Sequence, residues 1–244
     1  MLRFFIPLED IHTKHLHLRG QSARQVARVL RLKAGVECVI LDNRGNEYLV
    51  SLEEISPALC SARILEMRVA EEPEVKLLML LCLTQREKFE WMLQKCTEVG
   101  AAGFLPVISQ LALMQDELEV RNKYERWEGI IREAAEQSGR GAIPKLHLSL
   151  RLEAAVQKAI DEFPLRLIPW EGEKRVNLKQ ALNGQENQQV AVLIGPEGGF
   201  AEDEVRLAVS TGFQSVTLGR RILRMETAAV VSAALIMHEL GRPN

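Results

Sequence analysis

The apolar and polar positions of the chain follow two different rhythms, one on each side of a short acidic break. In the first part the apolar runs are short. Positions 36–41 and 47–52 read as strands, and Asp42-Asn43-Arg44-Gly45 between them is a turn-forming cluster that joins them as a hairpin. Positions 60–69 give another alternating run, with Ala62, Ile64 and Met67 set among polar residues. Ahead of the hairpin, Ser22 is positioned to cap a helix running to about Leu32, with Val26, Ala27 and Leu30 on the inner face. Arg24, Arg28 and Arg31 recur at i, i+4 and i+7 and so share one outer stripe. Ala70-Glu71-Glu72-Pro73-Glu74 then interrupts the pattern and reads as a linker, which sets the expected domains at 1–72 and 73–244.

Past the break, strands and helices alternate. Positions 76–83 are a solid apolar run, the mark of a strand buried on both faces. A helix over 87–99 follows, with Phe89, Leu93, Cys96 and Val99 near helical spacing, and then a strand at 104–108. One long helical stretch over 119–138 carries Tyr124, Trp127, Ile131, Ala134 and Ala135. A helix at 152–161 precedes a strand at 165–170, and a strand at 190–194 runs into Gly195-Pro196-Glu197-Gly198-Gly199. A helix at 202–210 leads to a short strand at 216–218 and a loop at 219–225. The final helix, 227–240, is apolar nearly all round, which suits burial in a core or against a second subunit. This alternation predicts an α/β domain with a mostly parallel sheet.

Composition narrows the class. The 244 residues are 47% hydrophobic and 26% charged, enough for a real core in one large or two modest domains. No run of 18 apolar residues occurs, which argues against a membrane span, and the N-terminus meets Glu9 and Asp10 too early for a signal peptide. A cytoplasmic protein is expected. Cys38, Cys60, Cys82 and Cys96 contain no C-x-x-C pair and lie in apolar runs, so free buried thiols are expected and neither a zinc site nor a disulfide. The net charge of -2 names no partner. Locally, however, no acid occurs between Ile11 and Val36, while Lys14, Arg19, Arg24, Arg28, Arg31 and Lys33 are all basic.

Two loops in the last third carry candidate chemistry. Gly195-Pro196-Glu197-Gly198-Gly199 is either a turn that needs glycine for its conformation alone or a ligand loop at the carboxyl end of a parallel strand. It is not G-x-G-x-x-G and lacks the end of a P-loop, which argues against a nicotinamide oxidoreductase and against a phosphate cradle. The second loop, Leu218-Gly219-Arg220-Arg221-Ile222-Leu223-Arg224-Met225-Glu226-Thr227-Ala228, puts three arginines and a glutamate before an apolar helix. Glu226 suits a helix start, and the arginines suit a solvated edge. Ile222 and Leu223 among them suit an adenine-like ring.

Together the two loops resemble the RsmE family, SPOUT-class methyltransferases that modify N3 of one uridine in 16S ribosomal RNA. The resemblance extends to Arg86-Glu87-Lys88, Gln94-Lys95-Cys96-Thr97-Glu98-Val99-Gly100, Glu133-Ala134-Ala135-Glu136-Gln137-Ser138-Gly139-Arg140, Ile143-Pro144, Val29-Leu30-Arg31 and Arg3-Phe4-Phe5. It implies an α/β SPOUT-type domain with a deep C-terminal trefoil knot, preceded by a small PUA-like RNA-binding β-barrel domain. It also implies S-adenosylmethionine as cofactor, 16S rRNA in the small ribosomal subunit as partner, a homodimer, and no metal. The cofactor walls carried over are Ile168, Ile194, Gly195, Glu197, Gly198, Gly199, Leu218, Gly219, Ile222, Leu223 and Thr227.

Uracil N3 must lose its proton or have its developing anion stabilised. Arg224 is the candidate for that electrostatic role and Glu226 for positioning it or the cofactor, with Glu197 as a second carboxylate. Candidate RNA contacts are Arg3, Arg24, Arg28, Arg31, Lys33, Lys88, Arg140 and Arg220. His12, His15 and His17 have no carboxylate or cysteine pattern around them and read as RNA contact or plain surface. The chain departs from the family at Gln25, in place of a histidine, at Leu111, in a stretch where an arginine is usual, and at Met225, in place of threonine or serine. The alternatives are a SPOUT-class methyltransferase acting on another RNA and a non-catalytic RNA-binding paralogue.

Overall fold

A computed structural model describes residues 1–186 and 188–241, so the last three positions of the expected second domain lie outside it. The chain forms two compact units, Met1–Glu72 with Ala135–Ile143, and Pro73–Ala134 with Pro144–Asn244.

In the first unit, β1 (Arg3–Phe5), β2 (His15–Arg19), β3 (Glu37–Leu41), β4 (Asn46–Ile55) and β5 (Leu59–Val69) form one sheet in the order β1-β3-β4-β5-β2. Only β1 and β3 pair in parallel. Successive side chains of β1 and β3 go to opposite faces, as a pleated strand requires. Phe4, Cys38 and Ile40 join a core with Leu16, Leu18, Val26, Val50 and Leu52, while Phe5, Val39 and Leu41 pack with Ala135 and Ile143 on the other face. The expected hairpin is β3–β4. Asp42 accepts from the backbone of Arg44 (2.7 Å) and of Asn46 (3.1 Å) and from Asn46 Nδ2 (2.7 Å), while Asn43 (φ 56) and Gly45 (φ 91) take the left-handed conformations of the turn.

The helix between β2 and β3 differs from expectation. It starts at Gly20, as α1 (Gly20–Arg24), so Ser22 lies inside it and caps nothing, and the chain continues as one π turn over Gln25–Val29. The N–H of Leu30 bonds to Gln25 O at 2.8 Å, which widens the turn, buries Val26 and leaves Val29 exposed. Segment Ala135–Ile143 is tied to this unit by polar contacts. Arg140, 8% exposed, makes a two-pronged ion pair with Glu72 (Nε–Oε1 3.0 Å, Nη2–Oε2 2.7 Å), and Glu72 also accepts from the N–H of Gly141 (2.6 Å) and of Ala142 (3.2 Å).

In the second unit β6 (Lys76–Cys82), β7 (Gly103–Ile108), β8 (Lys145–Leu146), β10 (Leu165–Pro169), β11 (Gln189–Ile194) and β12 (Gln214–Val216) form an all-parallel sheet in the order β12-β10-β11-β6-β7-β8, with β9 (Leu150–Arg151) also paired to β7. The apolar run of β6 is buried from Leu77 to Cys82, as expected of a central parallel strand. Helices α2 (Arg86–Val99), α5 (Leu152–Glu162), α6 (Leu178–Leu182), α7 (Glu202–Ser210) and α8 (Met225–Leu240) accompany it, and α8 packs on α2, α6, β6 and β11. The single helix expected over 119–138 is two, α3 (Glu117–Arg121) and α4 (Tyr124–Ser138), divided at Asn122, a residue type whose side chain competes with the helix for backbone hydrogen bonds and so favours helix ends. The last strand lies two residues earlier than expected. Thr217 leaves β10 and pairs instead with the 176–178 segment (Thr217 N–Val176 O 2.8 Å). That segment is held by Glu173, which accepts from Arg175 N–H (2.6 Å), Val176 N–H (3.2 Å) and Ser215 Oγ (2.7 Å). These bonds, the Arg175 one foremost, bring its pKa down to about 2.

Two outcomes follow. Glu72→Ala removes the carboxylate that accepts from the Arg140 guanidinium and from two backbone N–H groups, so the unfolding free energy drops by about 3 kcal/mol, read as a lower urea midpoint; an unmoved midpoint contradicts this. Glu173 has a folded pKa of about 2 against an ordinary 4.5. Its contribution is therefore complete above the ordinary value and is lost as pH falls toward the folded one. Between about pH 6 and about pH 3 the urea midpoint of Glu173→Gln should fall less than that of the parent, and equal falls would refute the role.

Candidate active site

All strands of the second sheet run the same way, so the loops after β6, β10, β11 and β12 leave from one edge, where ligands of parallel sheets bind. The loop after β11 turns at once. A Cβ on Gly195 would lie 2.8 Å from the Phe200 ring, and Gly199 (φ +75) donates its N–H to Pro196 O at 3.0 Å, so glycine is demanded at both places. In the loop after β12, Thr217 Oγ1 accepts from Gly219 N–H (3.2 Å) and donates to Gly219 O (3.0 Å), fixing Gly219 at φ +127 with open space where a side chain would point. Arg224 then stands at the N-cap of α8.

Between these loops lies a cavity of about 340 Å3 walled by Lys88, Pro169, Trp170, Glu171, 194–200, 222–226 and Ala228. A smaller recess of about 100 Å3 shares Pro169, Trp170, Glu171, Ile222, Leu223 and Ala228 and adds Lys174 and 217–221. Ile222 is 83% exposed at their common rim. The walls carry three carboxylates, Glu171, Glu197 and Glu226, and two cations, Lys88 and Arg224. Glu197 is held tightly. Thr84 Oγ1 donates to its Oε1 at 2.6 Å and Lys88 Nζ lies 3.1 Å from the same oxygen. These two bonds, with the charges of Lys88 and Arg224, keep the Glu197 carboxyl below the usual carboxylate range. Glu226 is the opposite case, since its Oε2 is buried and has no hydrogen-bond partner among the described residues. A buried acceptor of that kind on a cavity wall calls for a ligand donor or cation.

Most of the residues singled out in the sequence meet here. Ile194, Gly195, Glu197, Gly198, Gly199, Ile222, Leu223, Arg224 and Glu226 wall the larger cavity, and Leu218 and Gly219 the recess. Two do not. Ile168 is wholly buried in β10 and lines neither space, and the following residues Pro169, Trp170 and Glu171 take that position as the strand ends. Thr227 is turned to solvent by the pitch of α8, leaving Ala228 on the wall. Thr84, which fixes Glu197, was missed, although it is the first polar residue beyond a buried parallel strand.

The basic residues divide. Arg24, Arg28, Arg31, Lys33 and Arg220 are exposed. Arg140 is not a surface cation, because it is buried against Glu72, and Arg3 is engaged with Glu47 at 2.8 Å. Lys88 faces the cavity with Glu197. The four cysteines are buried free thiols, and burial pushes Cys38, Cys82 and Cys96 up to about 12, which leaves them unreactive. His12 and His17 meet edge-on at 5.5 Å, and no group of three or more His, Cys, Asp or Glu that could hold a metal occurs among the described residues.

Comparison with known proteins agrees with this geometry. The RNA methyltransferase domain family matches residues 70–237, and the RNA methyltransferase PUA domain family matches residues 18–65. The ribosomal RNA small subunit methyltransferase E of Synechocystis sp. is 33% identical over 240 residues, which cover 96% of this chain and 76% of that one. The crystal structure of a ribosomal RNA small subunit methyltransferase E from Neisseria gonorrhoeae, bound to S-adenosylmethionine, superposes with a TM-score of 0.88 at 26% identity, covering 98% of this chain and 97% of the other. A putative methyltransferase of Legionella pneumophila, also in complex with that cofactor, gives a TM-score of 0.87 at 29% identity with 97% of each chain covered. With its glycine loop and its arginine–glutamate loop on one cavity, the chain belongs to the ribosomal RNA small subunit methyltransferase E family of RNA methyltransferases.

Proposed function

We propose that the protein transfers the methyl group of S-adenosylmethionine to N3 of one uridine in the 16S rRNA of the small ribosomal subunit. The observation that carries this reading is the cavity shared by the 195–200 and 222–226 loops, with the unpartnered buried oxygen of Glu226 in its wall. Its volume suits a ligand of nucleoside size. The residues fit that cofactor: carboxylates for a sulfonium and an ammonium, and Leu218, Ile222 and Leu223 with bare glycine backbone for an adenine ring.

Bound there, S-adenosylmethionine supplies a methyl group already activated on a sulfonium. The chain's own residues then have to orient the uracil and hold the charge that builds on it. Arg224, at the cavity wall and free of a side-chain cap role, is the cation for the developing anion, and Glu226 beside it positions Arg224 or the cofactor. An N3 that is being methylated cannot be base-paired, so the target uridine must enter the cavity unpaired or extruded. Exposed Arg24, Arg28, Arg31 and Lys33 in the first unit, and Arg220 at the recess, neutralise phosphates.

A trefoil knot through the 195–200 and 217–224 loops, a homodimer, and a cytoplasmic, metal-independent enzyme complete the proposal. The homodimer is supported by α8, which leaves Ala234 and Leu235 exposed, and by α2, against which it packs and which leaves Trp91 exposed. Sedimentation velocity reads the oligomeric state directly. A second reading, the same chemistry on another RNA, is favoured by Leu111, an exposed leucine that lies against Gly198 at the cavity loop where the family resemblance leads to an arginine.

Small subunits from cells lacking their own N3-uridine methyltransferase, incubated with the protein and labelled S-adenosylmethionine, should yield label as 3-methyluridine at one site. Arg224→Ala should lower turnover about 100-fold with cofactor affinity kept. Cofactor binding without label in any ribosomal RNA would refute the substrate, and wild-type turnover in Arg224→Ala would refute the role of that residue.

A further inference from the structure

Lys88, a candidate RNA contact by its sequence context, lies on the cavity wall beside Glu197. It sits in the first turn of α2, its side chain is 31% exposed, and its ammonium lies 3.1 Å from Glu197 Oε1. Among the described residues no second acceptor is recorded for it, so two of its three N–H donors remain for whatever enters the cavity. Its partner is immobilised in turn by the Thr84 hydroxyl at 2.6 Å, which issues from the end of buried β6. Thr84, Glu197 and Lys88 thus form a chain that anchors a partly desolvated cation on the rigid centre of the sheet. A lysine that only neutralised phosphates would need no such anchoring, because a flexible exposed stem serves that purpose.

We infer that Lys88 is a catalytic residue whose ammonium donates a hydrogen bond to a carbonyl oxygen of the target uracil and stabilises the charge that develops there during methyl transfer. This rests on the reaction proposed above. In that reaction the N3 lone pair forms the new N–CH3 bond while the S–CH3 bond breaks, the old pair stays on sulfur as a neutral thioether, and the N3 proton passes to water. As that proton leaves, negative charge spreads onto the two flanking carbonyl oxygens. Lys88 and Arg224, which both face the same cavity, are preorganised for them, and such donors act most strongly where water is excluded. Glu197, ionised and already accepting two hydrogen bonds, is a poor proton acceptor and serves as a positioning residue.

The test is Lys88→Met, compared with the parent protein on small subunits. The expected result is a fall in kcat of about 100-fold, with KM, cofactor Kd by calorimetry and the salt dependence of RNA binding unchanged. The rising limb of the kcat–pH profile should also move to higher pH, because the uracil anion then forms unaided. Lys88→Arg, which keeps a cation and donors, should recover much of the loss. An unchanged kcat with weaker RNA binding and a shallower salt dependence would make Lys88 a phosphate contact and overturn the inference, as would loss of cofactor binding. Should Lys88→Met fail to fold, Thr84→Val carries the test. A lower kcat with the same shift of the pH limb supports the role, and a parental profile overturns it. If the parent itself forms no 3-methyluridine, the reaction is wrong and the inference falls with it. If the parent forms it and Lys88→Met matches the parent, only the role of Lys88 falls.

Discussion

With β11 hydrogen-bonded along one edge and β7 along the other, β6 has no side left for solvent, and its run from Leu77 to Cys82 carries no polar side chain that would need one. Its parallel neighbours are joined by crossover helices, and such helices cover both faces of a sheet. Parallel neighbours, in turn, bring the loops after β6, β10, β11 and β12 to a single edge. Thr84 follows β6 two residues past its end, so the first polar residue beyond this buried strand becomes the anchor of the Glu197 carboxylate on the cavity wall. The stability of the sheet and the geometry of the site therefore share one origin.

The electrostatics of the cavity follow from which groups are already paired. Oε1 of Glu197 is held by Thr84 and Lys88, while Glu226 keeps a buried oxygen with no hydrogen-bond partner among the described residues. Two carboxylates on the same wall thus have different capacities: one orients a cation, and the other awaits a ligand. Glycines at 195, 199 and 219 matter for a different reason, since ring contact at Gly195 and positive φ at Gly199 and Gly219 exclude side chains where the loops close on the cavity. Backbone groups are left bare there, which is what recognition of a flat heterocycle needs.

The first unit solves a different problem, that of covering both faces of a small five-stranded sheet. One face closes over its own core with α1 and the π turn, and the other uses Ala135 and Ile143 from far along the chain. Polar bonds that hold that distant segment include the Arg140–Glu72 pair, backed by two N–H groups on the same carboxylate, and the N–H of Phe5 donating to Glu136. Burying an arginine is tolerated only because all of this is satisfied at once. The exposed arginines of the helical stretch are free of any such duty and remain available for phosphates.

Much of this was written into local sequence. The Asp42–Gly45 turn, the buried run of β6 and the glycine loop after β11 depend on side-chain period and on turn chemistry within a few residues, and they were read at the right places. So were the two loops that meet at the cavity, through their resemblance to a family. Strands β1 and β2 escaped notice because such short segments are stabilised by partners remote in sequence, Val39–Leu41 for β1 and Leu59–Arg63 for β2. Arg140 read as a surface base because nothing near it reveals Glu72, and Lys88 read as a phosphate contact because nothing near it reveals Glu197. The sequence by itself determined which segments bury and which turn, since hydrophobic period and backbone preference act over a few residues. Tertiary structure alone decided which charge meets which, and which face of β10 and α8 looks into the cavity, because those depend on positions brought together from opposite ends of the fold.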